Sequence, residues 1–290
     1  MTRLIRGTTR AIERCIARGI TTAIDCSDTI AETCGLPLSR FSTPFTKSKV
    51  VSQHSFSMHW SNDGMYLYIG LALSNQVRYY VSAGNPWEVD EQSFVDLMRP
   101  PSNDTDGVWI KPDGTELWIA HHTGLIAGQT SSYTLPFPYT WTETGPAQPV
   151  LIQTVNNSRA EFKHLNDINI DPTGVKLIAS GNDSNGYPYQ QDMSAWDIST
   201  LAYGTDNKIV TASNCFVPPE GDCMYRTAGQ SIFKYAFGDS WDLTTLSATL
   251  EDSIDLTADM TANIQCMYMT ADRMFVIDDN DILYQYDAAT

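Results

Sequence analysis

A Trp followed at once by an acidic residue closes three strand-like segments of this chain: Trp87-Glu88 in "GNPWEVD", Trp196-Asp197 in "MSAWDIST" and Trp241-Asp242 in "FGDSWDLTT". A phrase that returns at wide, similar intervals marks a repeated unit of structure. Lined up on it, the chain divides into stretches opening at Phe56, Gly107, Ile168, Cys223 and Cys266. With the loops that lead into them, the units begin at about 54, 104, 167, 222 and 264.

Each unit has the same order of parts. A short apolar strand leads into a turn, "SNDG", "KPDG" or "DPTG", with "RTAG" and "TADR" as looser versions. Gly accepts positive φ in such turns, and Asp hydrogen-bonds the local backbone. A second apolar strand follows, as in "MYLYIGLAL", "ELWIAHH", "VKLIASG" and "RMFVIDD". A third carries aromatics, as in "QVRYYVS", "SIFKYAF" and "ILYQYDA", and the Trp phrase comes after it. "SFVDLM" and "DNKIVTAS" are candidates for an outer fourth strand. Groups of three or four short antiparallel strands at this period are the mark of β-propeller blades, and five units predict five blades.

The two ends of the chain also fit a ring. Residues 41–53, "FSTPFTKSKVVSQ", read as the tail of a unit, because "STPF" parallels "GNPW" and "LPFPYTW". The chain stops at "YQYDAAT", where such a tail is due. Residues 41–53 are therefore expected to supply the outer strand of the last blade, removing an open sheet edge. The expected fold is all-β: a propeller over 39–290, preceded by a helical or extended arm over 1–38. Trp87, Trp141, Trp196 and Trp241 are expected to cover the outer corner of their own blades. The acid and the Ser or Thr after them would bond backbone groups of the turn.

The arm differs from the body in charge. Residues 1–20 hold Arg3, Arg6, Arg10, Arg14, Arg18 and one acid, Glu13, for a net of 5 − 1 = +4; the whole chain is −16, so the other residues sum to −20. An acidic body repels phosphate, which argues against nucleic acid as the main partner. Ile5, Ile12, Ile16 and Ile20 fall near helical spacing beside the Arg stripe, as suits a segment that docks on another protein. Neither a membrane-spanning apolar run nor a secretory signal is expected from this sequence. Cys15, Cys26, Cys34, Cys215, Cys223 and Cys266 form no CxxC pair and read as small buried thiols.

Signals for chemistry are sparse. His121 and His122 are adjacent on a strand and so point to opposite faces, a poor arrangement for one metal. "DDND" (278–281) and "NDSNG" (182–186) are acidic loops without the spacing of an EF-hand. There is no GxSxG, phosphate loop or dinucleotide fingerprint. No catalytic residue, metal or cofactor is expected. Tyr139, Tyr187 and Tyr189 are the aromatics most suited to stack on a ligand such as a host-surface glycan.

"SYTLPFPYTWTE", "MSAWDIST" and "FGDSWDLTT" resemble the blade repeats of propeller proteins encoded by tailed bacteriophages and marine bacteria, where units look like "YxYxLSTPWDLST". The resemblance spans residues 41–290. It implies a virion component of the tail or host-contact apparatus, made in the host cytoplasm and present in several copies in a symmetric assembly. The arm would then bind other virion proteins. The alternatives are a lactonase-like hydrolase on a propeller scaffold with a channel metal, and a carbohydrate-binding module.

Overall fold

A computed structural model describes residues 37–41, 44–51, 55–100, 104–122, 128–156, 165–181, 187–206, 211 and 214–289. The expected arm residues Arg3, Arg6, Arg10, Arg14 and Arg18 lie outside this set.

The strands form five four-stranded antiparallel sheets arranged as a five-bladed propeller. After β1 (Lys47–Val50), the first blade is β2 (Ser55–Trp60), β3 (Tyr66–Leu71), β4 (Gln76–Ser82) and β5 (Gln92–Met98). The second is β6 (Asp104–Ile110), β7 (Glu116–His122), β8 (Gly128–Thr134) and β9 (Val150–Asn156). The third is β10 (Leu165–Ile170), β11 (Lys176–Gly181), β12 (Tyr189–Ser194) and β13 (Asp197–Asp206). The fourth is β14 (Cys215–Phe216), β15 (Cys223–Ala228), β16 (Ser231–Ala236) and β17 (Asp252–Asp255). The fifth is β18 (Ile264–Met269), β19 (Arg273–Asp278) and β20 (Ile282–Asp287), with β1 on its outside. Lys47 pairs with Gln285 and Val50 with Ile282, so the two ends of the described chain share one sheet.

Two boundaries differ from those read in the sequence. The fourth blade starts at Cys215 rather than near 222, and its first turn is "PPEG". "RTAG" instead joins the second and third strands of that blade. The short β14 and its Pro-Pro turn hide the pattern, since two residues carry no period. The outer strand of the third blade is Asp197–Asp206, not "DNKIVTAS": pairing starts directly behind Trp196.

The apolar cores lie between blades. Tyr68 and Val77 of the first pack with Val108, Ile110, Leu117 and Ile119 of the second. Trp109 and Trp118 of the second pack with Ile168 and Leu177 of the third, and Ile178 of the third joins Cys215, Met224 and Tyr235 of the fourth. Each sheet thus needs a neighbour on both sides, as in any stack of repeats.

The recurring aromatic does not cover the outer edge of its own blade. Trp87, Tyr139, Trp196 and Trp241 all have positive φ, 63°, 65°, 61° and 56°. That conformation turns each ring back over the glycine of its own first turn: Gly64, Gly114, Gly174 or Gly221. The backbone N–H of the aromatic residue donates to that glycine's carbonyl at 2.8–2.9 Å in all four blades. Each of these glycines has positive φ, and the ring lies where a Cβ would be, 1.9–2.6 Å from it. The ring then reaches the preceding blade. Tyr139 stacks on Tyr66 at 5.4 Å, Trp196 on Trp109 at 5.6 Å, and Trp87 on Tyr268 at 6.0 Å.

Trp141 is therefore not the corner residue of the second blade; Tyr139 is. Trp141 lies buried against Tyr79 at 4.5 Å and Tyr68 at 5.8 Å, with its carbonyl accepting from the Tyr79 hydroxyl at 2.9 Å. The acids after the corner act as expected in two blades. Asp197 accepts from the Ser199 N–H and hydroxyl, and Asp242 from those of Thr244.

The fifth blade has no such glycine. Its first turn is shorter, Met269 pairing with Met274 where Trp60 pairs with Leu67. Its seam with the first blade carries the Trp87 latch and, in addition, charge. Arg273 reaches Glu88 at 2.6 Å and the Pro86 carbonyl at 2.9 Å, while Lys47 binds both Glu88 and Asp90.

Cys223 is disulfide-bonded, which corrects its reading as a free thiol. Cys215 and Cys266 are free and buried.

The latch predicts unequal costs for one chemical change. Gly229→Ala meets positive φ in open space and should cost about 1 kcal/mol. Gly174→Ala meets the same φ and must also expel the Trp196 ring, for about 3 kcal/mol in all. Urea unfolding of the two variants checks this, and equal losses would remove the latch.

Candidate functional site

Strand alternation places residues two apart on the same face, so each inner strand sends successive side chains toward the axis in layers. Counting five residues back from each turn glycine gives His59, Trp109, Asn169 and Phe216, and the paired register adds Tyr268 from the fifth blade. All five line one cavity of about 710 Å³. Its mouth is framed by the first turns of four blades, at Asn62, Pro112, Pro172 and Pro219.

The next layer is a floor. Ser57, Gly107, Asp167 and Cys266 stand two residues before His59, Trp109, Asn169 and Tyr268. The Ser57 hydroxyl donates to Asp167 Oδ1 at 3.1 Å and accepts from the Val108 N–H at 3.1 Å. That one hydroxyl links the first, second and third blades. Gly107 permits the approach, because a Cβ there would meet Asp167 Cα at 3.2 Å. In four inner strands a β-bulge precedes this layer, between Ser55 and Ser57, Thr105 and Gly107, Leu165 and Asp167, and Ile264 and Cys266. Bulges re-aim side chains, and these four recur at one level of the ring.

Burial sets the protonation of the axis. It drives the Asp167 carboxyl well above the ordinary carboxylate range, against the hydrogen bonds from Ser57 and the Ile168 N–H. It pushes the Cys215 thiol up to about 12 and the Cys266 thiol well up, with Asp167 adding to both. His59 keeps a partial opening to the cavity but is enclosed by protein, which holds its imidazole down to about 3. Its ring lies 5.6 Å from Trp109 and 5.3 Å from Tyr268. The axis is thus neutral below the cavity, with a neutral imidazole in its wall.

Most polar groups of the cavity wall are committed to the fold. Asn169 donates to the Cys215 carbonyl at 2.9 Å and accepts from the Val217 N–H at 3.0 Å. Asp171 accepts from the N–H groups of Thr173, Val175 and Lys176. Trp241 Nε1 donates to the Pro219 carbonyl at 3.1 Å. Glu220, half-buried at the mouth, is the second carboxylate, and the lining contains no Lys or Arg.

The residues marked in the sequence for ligand contact lie elsewhere. Tyr139 is a latch residue whose hydroxyl donates to the Pro112 carbonyl. Tyr189 is fully buried between the second and third blades, while Tyr187 is half-buried before β12. His121 is buried and paired with the Ser131 hydroxyl at 2.7 Å. In "DDND", Asp278 accepts from the Asn280 and Ile282 N–H groups and Asp281 from the Ser55 N–H. Residues 182–186 lie outside the described set. Among the described residues no three of His, Cys, Asp and Glu are grouped to hold a metal ion.

No family model and no curated protein matches the chain. Solved structures resemble it only in shape. A functionally unknown protein from Desulfotomaculum acetoxidans is 13% identical with a TM-score of 0.47, the match covering 82% of this chain and 68% of that one. The Myceliophteria thermophila Swd1 β-propeller domain is 9% identical with a TM-score of 0.46, covering 84% and 99%. A Pseudomonas aeruginosa periplasmic gluconolactonase is 10% identical with a TM-score of 0.47, covering 79% and 66%.

The buried carboxyl carries a pH signature. Below the ordinary carboxylate range, near pH 4, Asp167 is protonated folded and unfolded, and costs nothing. As pH rises, the unfolded chain releases the proton first, so stability falls until the raised folded value is passed. Asp167→Asn keeps the acceptor for Ser57 and removes the ionisation. Its melting temperature should fall less than the parent's between pH 5 and 8; equal falls would show that Asp167 is not buried as described.

Proposed function

We propose that the chain is a virion component of a tailed bacteriophage, acting by rigid display of surface rather than by catalysis. The arm over residues 1–38 anchors it to neighbouring virion proteins, and the propeller supplies a host-contact or decoration surface in several copies. The biological setting is supported by the resemblance of "SYTLPFPYTWTE", "MSAWDIST" and "FGDSWDLTT" to phage-encoded blade repeats.

The observation that carries the display reading is on the rim. β9 is the outermost strand of its sheet, and its Val150, Leu151 and Ile152 are exposed one after another. Phe94 and Val95 are exposed on β5, the outer strand of the first blade. An apolar edge strand left in water invites pairing with another chain, so such a strand belongs against a partner. Packing in a particle meets that need with no chemistry at the axis.

The test is protein mass spectrometry of purified phage particles made with either the parent chain or a variant carrying Arg→Glu at 3, 6, 10, 14 and 18. The parent should be recovered in fixed stoichiometry, and the variant should be lost from particles while its melting temperature holds. Absence of the parent from particles would overturn the virion reading. Equal recovery of both would overturn the role of the arm.

A further inference from the structure

The axial cavity is walled by aromatic rings, and its polar groups are already bonded within the protein. We infer that it binds a compact, uncharged aromatic compound, of the size of a fused two-ring system, seated among Trp109, Phe216, Trp241 and Tyr268. The inference is independent of where the propeller is displayed and stands on the cavity alone.

The polar side chains of the wall serve the fold. The Asn169 amide donates to the Cys215 carbonyl and accepts from the Val217 N–H. Asp171 accepts from the N–H groups of Thr173, Val175 and Lys176, and the Thr173 hydroxyl donates to it as well. The Ser240 hydroxyl donates to Asp222, and Glu220 is engaged in an interaction within the protein. At the mouth, the carbonyls of Pro112 and Pro219 accept from the Tyr139 hydroxyl and the Trp241 indole N–H. A sugar needs a partner for each hydroxyl it brings out of water, and here it would lose more hydrogen bonds than it gained. Water in the cavity is poorly served for the same reason, so a guest that displaces it with apolar surface gains affinity.

Charge narrows the choice further. The lining has no Lys or Arg, enclosure keeps His59 neutral, and the protein carries −16, so an anion finds no partner. A cation needs a carboxylate that is not already bound. The two in the lining, Asp171 and Glu220, both have partners.

What the wall presents is ring surface. Trp109 comes from the second blade, Phe216 and Trp241 from the fourth, and Tyr268 from the fifth. His59 of the first blade lies 5.6 Å from Trp109 and 5.3 Å from Tyr268, and Tyr268 meets Phe216 at 4.9 Å. The rings thus run as one arc across four of the five inner strands. Tilted at 52–78° to one another, they offer a guest ring the edge-to-face and offset contacts that aromatic pairs favour. Pro112, Pro172 and Pro219 stand two residues before the turn glycines Gly114, Gly174 and Gly221, and proline has no N–H to offer. The Gly–aromatic latches hold those same turns, so the entrance exists before a ligand arrives and little ordering opposes binding. A volume of about 710 Å³ is that of a small-molecule pocket.

Titration calorimetry of the full chain at pH 7 tests this with four probes: 2-naphthol, its saturated analogue decahydro-2-naphthol, naphthalene-2-sulfonate and glucose. 2-Naphthol should bind saturably at one site, with the saturated analogue at least about fivefold weaker and the sulfonate about tenfold weaker. Glucose should give no saturable heat. Phe216→Leu keeps apolar volume but removes a ring, and should weaken 2-naphthol about fivefold while leaving decahydro-2-naphthol within about twofold. Phe94→Ser, on the exposed rim, should change neither. The four probes on the parent chain decide the matter even where Phe216→Leu fails to fold. Equal binding of 2-naphthol and its saturated analogue would overturn the aromatic assignment, and tighter binding of the sulfonate or glucose would overturn the exclusion of charge or sugar. Absence of saturable 2-naphthol binding, or its loss in Phe94→Ser, would remove the site from the axis.

Discussion

Both faces of every sheet in this chain are apolar, so no blade can be stable alone. Tyr68 belongs to one inter-blade core and Leu67, its neighbour in β3, to another. A linear stack of such sheets would still expose two faces. Bending the stack into a ring removes both, provided the end of the chain finds its beginning. β1 on β20 meets that condition through four paired residues, Lys47 to Val50. The rest of the molecule follows: the inner strands converge, the axis becomes a site, and the outer strands form a rim.

The Gly–aromatic latch sets the angle at which neighbouring blades meet. A Trp at positive φ is strained; here the same strain recurs in four blades at the same place, so the fold depends on it. The aromatic gains a stacking partner on the preceding blade, with pairs of this kind contributing about 0.5–1.5 kcal/mol beyond the area they bury. The seam between the fifth blade and the first adds Arg273, Glu88, Lys47 and Asp90 to the Trp87–Gly64 latch. Lys47 is held above its usual range by its hydrogen bonds to Asp90 and Glu88. Closure thus relies on backbone pairing and on charge as well as on the Trp87 latch.

Sequence reading captured what repeats and lost what repeats imperfectly. The turn glycines and the Trp phrases are short, regular signals, and they gave the fold class and the five units. Tyr139 was misread because a Trp two residues on, Trp141, matched the phrase better than the true corner residue did. β14 was missed because only Cys215 and Phe216 pair, too few to show alternation. The cavity wall was legible in principle: five residues before each "G" of the turn stands His59, Trp109, Asn169 or Phe216. Their chemistry varies from blade to blade, as it must at a site built once from five copies, so a search for a recurring ligand residue passes over it. The Ser57–Asp167 tie across the axis has no sequence signature, since it joins strands 110 residues apart.

The ring itself is tested most directly by hydrogen exchange of the full chain, read residue by residue along β20 and β1. If the two strands close the propeller, Leu283 to Gln285 and their partners on β1 should exchange only through the same global opening that releases β3, β7 and β11. Fast exchange of β1, with β20 behaving as an open edge while the other blades stay protected, would contradict the closed ring.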